Sequence, residues 1–218
     1  MNRPRICAAI TREDTASIHK VEPLADLFEV RIDLIGKDWA ELAGSLKKPW
    51  IATNRLPSEG GKWAGTEDTR QQELLKALRL GAVLVDIELA TPNLEEIVPV
   101  IKKKAKCLIS SHNMRRTPPP RELRRTVEDE LAAGADVCKV VTTARSFDDN
   151  ITLLNLINEF PGSEVVAFTM GPRGQMSRIL CPLAGGAFTY AAMSEGVESA
   201  AGQLTVSQLR QIYETLRL

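Results

Sequence analysis

The 218-residue chain is predicted to be a single-domain α/β protein, a (β/α)8 TIM barrel spanning residues 1–218. Three observations predict it. Eight short apolar runs rich in Val, Ile and Ala recur along the chain, as strands covered on both faces do. Longer stretches of helical period separate them, which implies a parallel sheet with crossover helices. No run is followed by G-x-G-x-x-G or G-x-x-x-x-G-K-[ST], so the rival open, nucleotide-binding sheet has little support.

The strand candidates are Arg5–Thr11, Leu27–Leu34, Trp50–Arg55, Ala82–Leu89, Cys107–His112, Asp136–Thr143, Glu164–Met170 and Ala187–Met193. Gly81-Ala82 and Gly134-Ala135 mark two similar helix-to-strand junctions. Thr91-Pro92 supplies an N-cap and a first-turn proline for a helix carrying Leu94, Ile97 and Ile101. Lys102, Lys103 and Lys104 then favour the negative end of its dipole. After Pro118-Pro119-Pro120, Leu123, Val127 and Leu131 recur every four residues until Gly134 stops the helix. Ser146 is the expected cap for the helix of Leu153, Leu154 and Ile157. Thr205-x-x-Gln208 reads as a capping box before Leu209, Ile212 and Leu216.

The charge balance is even, 28 Lys+Arg against 28 Asp+Glu, which argues against a nucleic-acid partner. The basic stretch from Arg115 to Arg125 is offset by Glu122, Glu128, Asp129 and Glu130 and reads as a solvated helix face. No apolar run approaches the roughly 18 residues that would span a membrane, and the opening residues lack a signal-peptide core. A cytoplasmic location is therefore expected. Cys7, Cys107, Cys138 and Cys181 form no C-x-x-C pair and are expected to be reduced and buried.

Polar residues occupy alternating positions toward the ends of several strands, where a barrel builds its site. They are Glu29, Arg31 and Asp33 on the second, Thr53 and Arg55 on the third, Asp86 and Glu88 on the fourth, and Ser110 and His112 on the fifth. Lys139 sits among Val137, Cys138, Val140 and Val141. Burying charge costs several kcal/mol unless it is paired or has a task. Glu29 with Arg31 could be a plain buried ion pair, and Asp86 could serve backbone groups. An interior lysine is harder to explain structurally, because it suggests a lowered pKa and a nucleophilic amine. With His112 as a nearby acid/base group, the residues suggest Schiff-base chemistry on a carbonyl compound, and the arginines suggest that the compound is anionic. That leaves a dehydratase and an aldolase both open. For the aldolase, Gly171-Pro172-Arg173-Gly174 with Gly196 could form a phosphate site; a non-catalytic barrel that binds a small acid is the third reading.

Taken in order, Glu29-Val30-Arg31-Ile32-Asp33, Arg55-Leu56-Pro57-Ser58-Glu59-Gly60-Gly61, Val85-Asp86-Ile87-Glu88, Ser110-Ser111-His112-Asn113, Cys138-Lys139-Val140, Met170-Gly171 with Ser177-Arg178, and Ser199-Ala200-Ala201-Gly202-Gln203 resemble type I 3-dehydroquinate dehydratases. The resemblance implies that Lys139 forms an imine with the C3 ketone of 3-dehydroquinate. His112 would move protons at C2 and at the departing C1 hydroxyl, and Glu88 would orient His112. It implies Arg178 as the carboxylate binder, with Glu29, Arg31, Arg55, Met170, Ser199 and Gln203 at the substrate. It implies a lid over residues 195–203, no metal or organic cofactor, and a homodimer. Ala201 stands where the motif commonly has proline, and a more mobile lid is expected from it. The N-terminal extension of larger bacterial members and a fused shikimate dehydrogenase domain are not expected.

Overall fold

A computed structural model describes residues 3–218; of the expected 1–218 domain, only Met1 and Asn2 lie outside the described residues. The elements alternate from end to end: β1 (Ile6–Ile10), α1 (Thr15–Val21), β2 (Leu27–Arg31), the single turn α2 (Ile32–Ile35), α3 (Trp39–Ser45), β3 (Trp50–Thr53), α4 (Glu67–Arg79), β4 (Leu84–Glu88), α5 (Leu94–Lys102), β5 (Lys106–Asn113), α6 (Pro120–Ala132), β6 (Val137–Thr143), α7 (Asp148–Asn158), β7 (Glu164–Met170), α8 (Gln175–Leu180), β8 (Thr189–Ala192) and α9 (Val206–Thr215). All seven strand pairings are parallel, in the order β7-β6-β5-β4-β3-β2-β1-β8. The barrel is thus nearly closed, with its seam between β7 and β8. The eight expected strands are all present.

The strands are short and almost wholly buried because helices cover their outer faces while side chains fill the inside. Ile6, Ala8, Val30, Ala52, Val85, Ile87 and Ile109 belong to the core that the strands share with α1, α3, α4, α5 and α9. Leu108, Val137, Val140, Val165 and Ala167 belong to a second core with α6 and α7. At the N-terminal rim, Asp26 and Asp136 repeat one device. Each carboxylate accepts a backbone N–H at the start of a neighbouring strand, Asp26 from Ile6 at 2.7 Å and Asp136 from Cys107 at 2.8 Å.

Several expected ends shift, each for a local reason. β2 stops at Arg31, because Ile32–Ile35 turns into a helix; Asp33 therefore does not share a strand face with Glu29 and Arg31. α5 begins at Leu94 behind Asn93, which takes a left-handed conformation, so Thr91 is not its cap. The Thr91 hydroxyl instead accepts a hydrogen bond from Arg70. Ser146 does not cap α7 through its side chain; Asp149, inside the helix, accepts the backbone N–H groups of Arg145 and Ser146. The Thr205–Gln208 capping box is formed as expected. All four thiols are free and buried.

Candidate active site

The C-terminal mouth of the barrel holds a cavity of about 290 Å³, sized for a single small acid. Its depth comes from the strand register. Arg31, Thr53 and Asp86 stand side by side on β2, β3 and β4, and Glu88, Ser110 and Lys139 on β4, β5 and β6. Alternation then turns these side chains inward, while Val85, Ile87 and Ile109 pack outward against the helices.

Lys139 rises from the middle of β6 with only 4 % of the residue exposed. Its Nζ donates to Asp86 Oδ2 at 2.8 Å and lies 3.6 Å from Glu29 Oε1. The face of Tyr190 is 4.1 Å away. Asp86 also receives Arg55 Nη2 at 2.7 Å and the Ser110 hydroxyl at 2.6 Å. Burial alone would raise its pKa, but Arg55 and Lys139 hold it well below the usual carboxylate range. Asp86 is therefore a permanent anion anchoring both cations, not a backbone acceptor. Glu29 accepts the Thr53 hydroxyl at 2.9 Å, whereas Arg31 forms a bidentate pair with Asp33 at 2.9 and 2.7 Å. The simple Glu29–Arg31 ion pair is not formed.

The expected contact between Glu88 and His112 is absent. Glu88 is occupied by Arg70 Nη1 at 2.6 Å, Arg55 Nη1 at 3.1 Å and the Leu56 backbone N–H at 3.1 Å, all on the β3–β4 side. Glu59 takes the expected place. Its Oε2 lies 2.8 Å from His112 Nδ1 and accepts the His112 backbone N–H at 3.1 Å. Glu59 sits in the turn after β3, held in place because Gly61 lets the chain fold back on Arg55; a Cβ there would lie 1.9 Å from the Arg55 carbonyl oxygen. The pattern Glu59-Gly60-Gly61 was visible in the sequence. Strand alternation could not flag Glu59, because it lies on a turn and not on a strand.

Burial, reinforced by Arg55 and Lys139, holds the His112 imidazole well below its usual range. Burial likewise pushes Glu59 up to about 7, against the pull of Arg55. At neutral pH His112 is thus neutral. An ionised Glu59 makes Nδ1 the donor and leaves the Nε2 lone pair as a base.

Across the cavity, Arg178 on α8 is 2 % exposed. Its Nε and one terminal nitrogen find no partner among the described residues. Its guanidinium lies over Phe168, 4.4 Å from the ring centroid, and burial lowers its pKa to about 10. A buried guanidinium with free donors is a ready receptor for a carboxylate. Met170 lines the same wall. The segment after β8 lies over the cavity: Ser199 donates its N–H and hydroxyl to Gln203 Oε1 at 2.8 and 3.2 Å, and Gly171 donates its N–H to the Ala201 carbonyl at 2.9 Å.

The possible phosphate site is not built. The Gly171 and Gly174 N–H groups are used internally, by Ala201 and Gly171 carbonyls, and the Arg173 guanidinium donates to the Arg145 carbonyl. No group of three or more His, Cys, Asp and Glu side chains that could hold a metal occurs among the described residues.

Comparison with known proteins places the chain among relatives of one family. A model of the family described as type I 3-dehydroquinase matches residues 6–218. The 3-dehydroquinate dehydratase of Dehalococcoides mccartyi is 46% identical over 216 residues, covering 99% of this chain and 97% of that one. That of Methanococcoides burtonii is 38% identical over 232 residues, 98% and 95% of the two chains. Among solved structures, the type I 3-dehydroquinate dehydratase of Clostridium difficile, crystallised with covalently modified comenic acid, superposes with a TM-score of 0.86. It is 25% identical over 99% of this chain and 93% of its own. The 3-dehydroquinate dehydratase of Geobacillus kaustophilus superposes at 0.87 and 24% identity, over 99% and 92%.

Proposed function

The chain belongs to the type I 3-dehydroquinase family, and from that premise we infer that it removes water from 3-dehydroquinate through an imine on Lys139. It is a 3-dehydroquinate dehydratase, a hydro-lyase of the shikimate pathway giving 3-dehydroshikimate. The observation that carries the residue assignment is one cavity lined by Lys139, His112 and a buried Arg178 without an anionic partner.

The Lys139 ammonium lends a proton to His112, its free amine adds to the C3 carbonyl, and the carbinolamine takes that proton back to lose water and leave a protonated imine. That cation draws electron density from C2, whose proton passes to His112 Nε2 while the C2–H electron pair enters the enamine. His112 then returns the proton to the C1 hydroxyl, which departs as water as the enamine pair forms the new C1–C2 double bond. Hydrolysis of the conjugated imine frees the product and Lys139. In this reading Glu59, and not Glu88, orients the imidazole; Glu88 fixes Arg55 and Arg70 beside it. Arg178 receives the carboxylate. Glu29, Arg31, Arg55, Met170, Ser199 and Gln203 surround the ring, and the 195–203 segment is the lid that excludes water. The imine itself is the electron sink, so we assign no cofactor.

The test is borohydride reduction with 3-dehydroquinate, followed by intact mass and peptide mapping. A stable adduct on Lys139 that needs substrate is expected; conversion without any adduct would overturn the lysine mechanism. A cytoplasmic location suits four free, buried thiols, and no described helix is long and apolar enough to cross a membrane. The homodimer rests on the family resemblance, and sedimentation equilibrium at twice the chain mass is the expected result.

A further inference from the structure

Lys139 faces three partners, and only two of them are carboxylates. The third is the ring of Tyr190, whose centroid lies 4.1 Å from Nζ. Tyr190 stands on β8, two strands from β6 over the β7–β8 seam, and is almost completely buried. Its hydroxyl finds no hydrogen-bond partner among the described residues, so what this side chain gives the site is its face. The ring is not free to swing. Phe188 meets it edge-on at 5.5 Å and 61°, and Phe168 at 6.0 Å and 62°. Phe168 in turn carries Arg178 on its own face. Two aromatic rings in edge contact across the β7–β8 seam therefore seat the two cations that the proposed reaction uses, one for the ketone and one for the carboxylate.

We propose that Tyr190 is a positioning residue for the imine step, its face holding the cationic nitrogen of Lys139 both as the resting ammonium and as the protonated imine. This rests on the imine reading given above. The physical reason is a change in donor count. The ammonium has three N–H donors and can satisfy Asp86 while leaning toward Glu29. The protonated imine keeps one N–H, and its charge spreads onto carbon. A carboxylate rewards a directed N–H, whereas a ring quadrupole attracts diffuse positive charge with no directed donor. The contact with Asp86 must therefore weaken on imine formation, while the contact with Tyr190 persists. A fixed ring also prevents the nitrogen from following Asp86 toward β4, keeping C2 within reach of His112.

The experiment replaces Tyr190 with phenylalanine and then with phenylalanines carrying one, two and three ring fluorines. Fluorination drains the face of negative potential with little change in ring volume. Relative to Tyr190→Phe, the fraction of enzyme trapped by borohydride during turnover should fall stepwise, by about tenfold over the series, with kcat following it. KM should move less, and the melting temperature should stay level, which a packing role alone would not produce with a graded loss of adduct. Trapping and kcat that are flat across the series, in enzyme that forms the Lys139 adduct, would overturn the role of Tyr190 and leave the imine standing. Absence of any adduct in the unsubstituted enzyme would remove the imine and this proposal with it.

Discussion

At Lys139, His112 and Glu59, function depends on which atom holds a proton. Lys139→Ala should abolish turnover and adduct together. His112→Ala should still give a reducible adduct yet stall elimination, with kcat down at least about a hundredfold; near-normal turnover would refute its role. Glu59 makes the sharper prediction because its pKa is pushed up to about 7. Only the ionised carboxylate fixes Nδ1–H, so activity should fall as pH drops through about 7. Glu59→Gln should remove that acid limb and lower kcat roughly 10- to 100-fold. Its folded-state pKa is raised, so the native protein binds this proton more tightly than the unfolded chain does. Stability from this group is present at low pH and is lost between about 4.5 and 7. Glu59→Gln should therefore gain on the parent enzyme between pH 5 and pH 8, by about 1–3 kcal/mol, read as a few degrees in melting temperature. Lys139, His112 and Arg55 stood out in the sequence because charge at an apolar strand or its end is anomalous, whereas Arg178 was pointed to only by the family resemblance. Glu59 did not stand out, because a glutamate in a glycine-rich turn looks like ordinary surface.

Elements are legible where the signal is periodic and obscure where the ends are tertiary. All eight strands could be read from apolar runs, but Thr91 and Ser146 resemble caps and are not, because buried Arg70 claims one and Asp149 supplants the other. Thr205 does cap α9, and Thr205→Ala should cost about 1 kcal/mol in urea unfolding. The proposed lid, residues 195–203, shows how one backbone position governs an element. Gly202 has φ +79°, and a Cβ there would lie 2.3 Å from the Gly171 carbonyl oxygen. Gly202→Ala should therefore unseat the Ala201–Gly171 hydrogen bond and lower kcat/KM at least about tenfold, with only a small fall in melting temperature, because partly buried Val197 and Ala200 alone tie this segment to the two cores. Unaltered kcat/KM would show that this closed arrangement is not the working one. Ala201 contributes its carbonyl to the same hydrogen bond, so the residue commonly replaced by proline holds the lid through an atom that both residues possess.

For the whole molecule, the seam explains where the barrel gives up stability to function. β7 and β8 share no ladder, and the space between their upper ends holds Phe168, Tyr190 and the guanidinium of Arg178 instead. The barrel count and the alternation of strand and helix were readable from the sequence, but the seam was not, since no local pattern says which neighbouring strands fail to pair. A buried guanidinium without an anion is a net cost to the empty enzyme. Its lowered pKa, about 10, expresses that cost, and the Phe168 face offsets only part of it. Arg178→Met keeps an unbranched side chain of similar reach and removes the charge. It should stabilise the substrate-free protein by about 1–3 kcal/mol while raising KM for the carboxylate substrate at least about a hundredfold. The borohydride adduct should reverse the order of stability, because a bound carboxylate then pairs with Arg178 and links α8 through the substrate to Lys139 on β6. Thermal unfolding of both proteins, empty and reduced with substrate, decides this. An empty Arg178→Met no more stable than the parent would mean that the seam already compensates the charge, and that Arg178 is a structural cation before it is a receptor.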